Sequence, residues 1–337
     1  MKAIIYKQPC AIDDADALSE VQVKDPSPGA RDLLVTVEAI SVNPVDTKLR
    51  ANVAPSGEGI LGWDAVGTVV SVGEAVERFE AGQRVWYAGA LDRPGAYSEL
   101  QCVDERLVAT APRTLSAAEA AALPLTSITA WELLFERLKI PLGKAPSDNV
   151  LLVSGAAGGV GSILLQLAAR LTSTTIVATA GRPQSRKWVT SMGAHHVVDY
   201  HQPLAPQLED AGLPAVTHIA SLTHTDRYLE QFTDLLAPFG HLALIDDPPA
   251  LDIVPLKRRS LSVHWELMFT RSLYQTKDMQ AQGDLLAEVA DLVDHGVLKT
   301  TMTNNLGKIN VANLRRAHEL IEQGGSRGKI VLAGFEA

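Results

Sequence analysis

Six residues, Ala156-Ala157-Gly158-Gly159-Val160-Gly161, lie between an apolar β-type run, Asn149 to Val153, and a helix-type run, Ser162 to Arg170. Strand, tight glycine turn and helix start together make a site for a dinucleotide pyrophosphate. Glycines admit close backbone approach, and the free N–H groups of the first helical turn carry partial positive charge. Gly158 is placed for that approach and Gly161 for close packing of helix on sheet, with Gly159 and Val160 between them. Ala156 stands where the strict pattern has its first glycine, which predicts a slightly wider turn. The competing explanation is a glycine turn selected for packing alone. Ser154, Thr223 and His224 fall at the carboxyl ends of predicted strands, where open α/β sheets bind ligands.

About twenty residues past such a turn, NAD-dependent enzymes carry an acid for the ribose 2′-hydroxyl. Here the run is Ala178-Thr179-Ala180-Gly181-Arg182-Pro183-Gln184-Ser185-Arg186-Lys187, with no carboxylate. Arg182 and Ser185, with Arg186 and Lys187 beside them, suit the 2′-phosphate of NADPH, because guanidinium presents forked donors to phosphate oxygens. At least one of these cations is expected to be only the solvated first turn of a helix.

Around these residues the hydrophobic pattern changes along the chain. Residues 1–122 read as short β segments separated by turns: 2–6, 32–40, 65–72, 84–88 and 96–101. Over 123–270 strands at 150–153, 175–180, 196–199, 216–221 and 241–245 alternate with helical patterns, which predicts a doubly wound parallel sheet. Residues 271–337 carry helices at 282–294 and 310–322 and a closing strand at 328–332. This segment resembles the first region more than the second, so it is expected to return to it.

With 337 residues, 46% hydrophobic and 20% charged, the chain has material for about two domains and is no disordered tail. A net charge of −9, with no basic block longer than Lys257-Arg258-Arg259, argues against nucleic acid or an anionic membrane as partner. Two cysteines, Cys10 and Cys102, are too few for a disulfide framework and rule out a four-cysteine zinc site. No signal-peptide pattern is visible at the N-terminus, so a cytoplasmic location is expected. Residues 150–169 run twenty positions without a charge, but the glycines in their middle favour strand, turn and buried helix over a membrane span.

These residues together resemble the medium-chain dehydrogenase/reductase superfamily, in its quinone oxidoreductase and zinc-type alcohol dehydrogenase-like branch. The resemblance runs along nearly the whole chain. It rests on Val42-Asn43-Pro44-Val45-Asp46, Ile60-Leu61-Gly62-Trp63-Asp64-Ala65-Val66-Gly67, Gly82-Gln83-Arg84-Val85, the stretch Ala120 to Ala130, the glycine turn and Gly328-Lys329-Ile330-Val331-Leu332. It implies a GroES-like β-barrel catalytic domain, an α/β Rossmann domain, NADPH in the cleft between them with Tyr200 and Lys329 among its contacts, and a homodimer or homotetramer. Zinc-dependent members hold their metal through a Cys, a His-Glu pair after Gly, and a further Cys or acid. Those places read Asn43, Trp63-Asp64 and Leu125-Thr126 here, and neither Asn nor Trp replaces thiolate or imidazole. His195 and His196 are adjacent, so a strand would turn them to opposite faces.

Chemistry without a metal then needs a held nicotinamide, a polar group for the developing oxyanion and a dry pocket. Asn43 is a candidate amide donor from the early loop. Asp46, Lys48 and Arg50 follow it, Lys48 standing where relatives often carry a tyrosine proton donor. Trp63 is an expected apolar wall, Asp64 a structural acid paired with Arg50, and Thr126 a nicotinamide contact. The reading is an NADPH-dependent reductase of a quinone or α,β-unsaturated carbonyl. The alternatives are a zinc-type alcohol dehydrogenase with unusual ligands and an NADPH-binding protein without catalysis.

Overall fold

A computed structural model describes residues 1–55 and 57–336. The chain divides into two compact units, Met1–Ile128 together with Phe269–Ala337, and Thr129–Met268.

The first unit opens with a hairpin of β1 (Lys2–Ile5) and β2 (Ser19–Gln22), followed by β3 (Asp32–Val42). Then come α1 (Pro44–Asn52), β4 (Ala65–Val72), β5 (Arg84–Tyr87), β6 (Leu100–Asp104), β7 (Val108–Thr110) and α2 (Ala117–Ala121). The strand β3 is the centre of this unit, pairing antiparallel with both β4 and β6. Its β-branched and leucine residues alternate inward, burying Leu33, Val35 and Val37. The early loop expected to carry Asn43 and Asp46 is instead the start of a helix: Val42 ends β3 and Asn43 caps α1. Pro44 presets the first helical turn, and Asp46 reaches back to the Asn43 N–H at 2.7 Å. The strand expected at 96–101 begins later, at Leu100. Ala96 and Tyr97 bond Gly62 and Leu61 in an irregular crossing before the chain joins β3.

Helix α3 (Pro124–Trp131) carries the chain into the second unit, where the Rossmann-like sheet is parallel throughout in the order β10-β9-β8-β11-β12-β13. Its strands are β8 (Val150–Ser154), β9 (Thr175–Thr179), β10 (His196–Val198), β11 (Val216–Ser221), β12 (Leu236–Leu244) and β13 (Ser262–Trp265). The helices between them are α4 (Gly159–Leu171), α5 (Pro183–Ser191), α6 (Leu204–Asp210) and α7 (Thr225–Leu235). β12 starts five residues before its predicted beginning because Pro238-Phe239-Gly240 imitates a turn. Phe239 takes a left-handed φ of 67° within the strand. The uncharged run from Val150 is β8 plus the buried helix α4, and no helix among the described residues is long and apolar enough to cross a membrane.

The remaining chain adds α8 (Thr270–Leu273), α9 (Ala281–Asp294), β14 (Met302–Asn305), α10 (Val311–Glu322) and β15 (Lys329–Ala333) to the first unit. β15 pairs antiparallel with the end of β3, Ile330 opposite Val42, which sets Lys329 beside Asn43. The first unit is thus a GroES-like β domain and the second an α/β Rossmann domain.

Candidate functional site

In the second unit the glycine turn is built by three different glycines. Gly155, one residue before the Ala156 that stands at the strict pattern's first glycine, takes the left-handed φ of 71°. Ala156 needs no such freedom, and its methyl is fully buried. Gly161 lies so close to the Ala156 backbone that a Cβ there would fall 2.4 Å from its carbonyl oxygen. Gly158 caps α4, and an added Cβ would meet only the Gly155 carbonyl, at 3.4 Å, leaving the backbone open to a ligand. Thr223 stands over the turn, its Cγ2 3.0 Å from a Cβ built on Gly155, and buried Ser154 ends β8 opposite Ser221 of β11. Exposed His224 begins α7 with φ 53°, and that helix start is tied to Asp246 through the Thr225 N–H at 2.8 Å, an anchor no sequence pattern announced. This cradle of open backbone at a helix start fits a dinucleotide phosphate.

At the end of β9, Arg182 caps α5 and is exposed, and Ser185 lies in that helix's first turn. Arg186, grouped with them by sequence, has its guanidinium committed to the Ala180 and Val197 carbonyls, at 3.1 and 3.0 Å. Reading along β9 for an acid also missed one from the neighbouring strand. Asp199 Oδ1 lies 3.0 Å from a Cβ built on Gly181, and the His201 ring lies within 2.4 Å of it. Tyr200 packs on His201, with ring centroids 4.3 Å apart.

The first unit holds a buried polar cluster. Lys329, expected to contact the cofactor, instead gives its ammonium to the Val42 carbonyl, Asn43 Oδ1 and Asp64 Oδ2, the last at 3.1 Å. Three donors on three acceptors leave it nothing for a ligand. Asn43 is likewise used up: its amide nitrogen donates to Asp64 Oδ2 at 2.8 Å and to the Ser41 carbonyl at 3.3 Å, so it is a brace and no free oxyanion donor. The Asp64 pairing with Arg50 expected from sequence is replaced by the pairing with Lys329. Burial pushes the Asp64 carboxyl up, opposed by the Lys329 charge, the Leu125 N–H and the Asn43 amide.

Arg50 belongs to a second chain of contacts. It bonds Glu322 and the Cys10 carbonyl, and its Nε donates to His318 Nδ1 at 3.3 Å. Burial and the Arg50 charge push His318 down to about 3, so it is neutral, and with Nδ1 accepting, its proton sits on Nε2. That nitrogen faces the Tyr97 hydroxyl at 3.2 Å, and Tyr97 donates to Asp46 Oδ2 at 3.1 Å. Asp46 is fully buried, and its Oδ1 bonds no described residue. Burial raises its carboxyl to about 7, opposed by the Asn43 N–H, the Lys329 charge and Tyr97.

Of the remaining candidates, Lys48 is exposed on α1, and Thr126 is buried with its hydroxyl donating to the Leu123 carbonyl at 3.1 Å. Trp63 is buried, donating its indole N–H to the Ala90 carbonyl and meeting Phe269 edge-on. The donor set at the places where relatives bind zinc does not fit the metal, since an engaged amide and an indole supply no ligand. No group of three His, Cys, Asp or Glu among the described residues is arranged to hold one. His218 lies inside β11 and stacks on His241, which stacks on His264, at 5.3 and 5.9 Å between centroids.

Residues 29–113 match the alcohol dehydrogenase GroES-like domain, and 192–332 match the zinc-binding dehydrogenase domain. A zinc-type alcohol dehydrogenase-like protein of Staphylococcus aureus is 36% identical over 98% of this chain and 99% of its own. The chain belongs to the medium-chain dehydrogenase/reductase superfamily. As a member of it, the protein is an oxidoreductase. Among solved structures, a Rhizobium etli protein assigned as a zinc-dependent alcohol dehydrogenase superposes with a TM-score of 0.97 at 48% identity, covering 100% of this chain and 99% of the other. The Escherichia coli quinone oxidoreductase complexed with NADPH superposes with a TM-score of 0.84 at 25% identity, covering 99% and 100%.

Proposed function

We propose that this oxidoreductase is a cytoplasmic NADPH-dependent reductase of quinones or α,β-unsaturated carbonyls that works without a metal. The observation that carries the reading is the Asn43-Asp64-Lys329 cluster. It closes the places where relatives bind zinc with an amide, a carboxylate and a fixed ammonium. A site without a Lewis acid has no means of lowering the pKa of an alcohol, whereas a conjugated acceptor needs only modest polarisation. The bound nicotinamide supplies the hydride. Ser154, the backbone of Gly158, Gly159, Val160 and Gly161, Thr223 and His224 hold its phosphates and ribose, while Arg182, Ser185 and Tyr200 take the adenosine end. The absence of an acid along β9 itself and the NADPH complex of the Escherichia coli relative support the choice of NADPH.

In the first unit, Asn43 and Lys329 hold Asp64 rigid, Trp63 and Thr126 form dry walls, and Lys48 is the exposed cation of α1. Asp46, raised to about 7 by burial, is the group of this cluster that can hold a proton near neutral pH, with the Tyr97 hydroxyl and the Asn43 N–H fixing its Oδ2. Two free cysteines fit a reducing compartment. Assembly as a homodimer or homotetramer belongs to the same proposal and is read by light scattering. The test of function is cofactor oxidation against a panel of acceptors. Quinones or enones should turn over with NADPH and simple alcohols should not; activity on alcohols alone would overturn the reading.

A further inference from the structure

The turn after β10 places an acid and a base against the end of β9. Asp199 Oδ1 accepts the His201 backbone N–H at 2.9 Å and lies 2.7 Å from His201 Nδ1. Both side chains reach Gly181, the residue before Arg182, and only a glycine leaves room for the imidazole there. Gln207 of α6 fixes the turn from behind, bonding the Asp199 N–H and carbonyl, at 2.7 and 2.9 Å. A carboxylate is therefore built into the place where an adenosine ribose 2′ substituent would be received, and a titratable ring is clamped to it.

Resting on the NADPH reading above, we infer that the Asp199–His201 pair sets the discrimination at the ribose 2′ position. A bare carboxylate accepts a 2′-hydroxyl and repels a 2′-phosphate. When His201 is protonated it cancels that charge and turns its Nε2 from acceptor to donor, so the pair then admits the phosphate. The His201 hydrogen bonds hold the Asp199 carboxyl below the usual carboxylate range, with the Arg186 charge adding to this. Tyr200 packs beside the ring, and Arg182 follows Gly181 in the β9–α5 connection. On α6 the neighbouring group is the neutral Gln207, the acids Glu209 and Asp210 lying at that helix's far end.

The test is calorimetric binding of adenosine 2′,5′-bisphosphate and 5′-AMP to the whole protein and to Asp199→Asn and His201→Gln, at about pH 6 and about pH 8.5. Asparagine keeps the acceptor for the His201 N–H, so the turn survives. Asp199→Asn should bind the bisphosphate about fivefold tighter and 5′-AMP no tighter than the unsubstituted protein does. His201→Gln should bind the bisphosphate about threefold more weakly at the lower pH, and its preference should vary with pH only through the phosphate's own titration. A steeper fall in the unsubstituted protein as pH rises supports the inference; the same ratio of the two affinities in all three proteins overturns it. The NADPH reading is judged separately by the unsubstituted protein's own preference. A protein that favours 5′-AMP while Asp199→Asn reverses the order contradicts NADPH and keeps the gate.

Discussion

Asp46 is the residue whose replacement separates charge from shape. Tyr97 and the Asn43 N–H both donate to Oδ2, so asparagine preserves each bond and removes only the ionisation. The folded carboxyl titrates at about 7 against an ordinary 3.8, so ionising it in place costs stability as pH rises between those values. The full penalty is roughly 4 kcal/mol at about 1.4 per unit. Asp46→Asn should therefore gain on the natural protein by up to that amount between pH 4 and 8 in urea unfolding, and a constant difference would show that Asp46 does not titrate. Lys329→Met should cost about 3 to 5 kcal/mol by the same measurement, because it strands the buried Asp64 carboxylate. Arg182→Ala should weaken NADPH ten- to a hundredfold, one charge-assisted bond at about 1.5 to 3 kcal/mol, and barely alter NADH. Equal loss of both cofactors in binding assays would remove Arg182 from the phosphate site. At this scale the sequence displayed Asn43, Asp46 and Trp63 as candidates, yet it could not show that Asn43 is consumed by Lys329. That contact depends on two strands meeting from opposite ends of the chain.

Among the elements, the β8–turn–α4 unit was the most legible, because every determinant lies within about twenty consecutive residues and glycine spacing is itself the geometry. What the departure at Ala156 did not reveal is which residue turns: Gly155 supplies the left-handed φ, and Ala156 is free to be buried. Gly161→Ala tests the packing half of that account. Its methyl would collide with the Ala156 backbone, so α4 must lift off β8, a loss of about 1 to 3 kcal/mol together with weaker nucleotide binding. Unchanged stability and affinity would contradict the close approach. Helix α1 was illegible for the opposite reason. Nine residues of mixed polarity have no clear apolar stripe, and it is Pro44 and the Asp46 cap that decide the conformation. The acid at Asp199 was missed because proximity across a parallel sheet follows register, which local spacing does not reveal.

For the whole molecule, several imidazoles are held neutral by burial. His218 is pushed down to about 4 and His318 to about 3, and His241 and His264, stacked with His218, are lowered as well. Their folded values lie below the unfolded 6.5, so the stability they contribute is complete above that pH and is lost as pH falls from 6.5 through about 4 and 3. Thermal unfolding should drop steeply over this range, opposite in sign to the Asp46 effect. His318→Gln should flatten the drop, and an unaltered acid profile would show that this histidine is already charged in the fold. The central claim, however, is metal-free hydride transfer to a conjugated acceptor. It is tested most directly by following NADPH oxidation with a quinone and an enone after exhaustive treatment with EDTA. The account predicts turnover undiminished by the chelator and unaffected by added zinc. Loss of activity on chelation with recovery on zinc, accompanied by oxidation of simple alcohols, would contradict it.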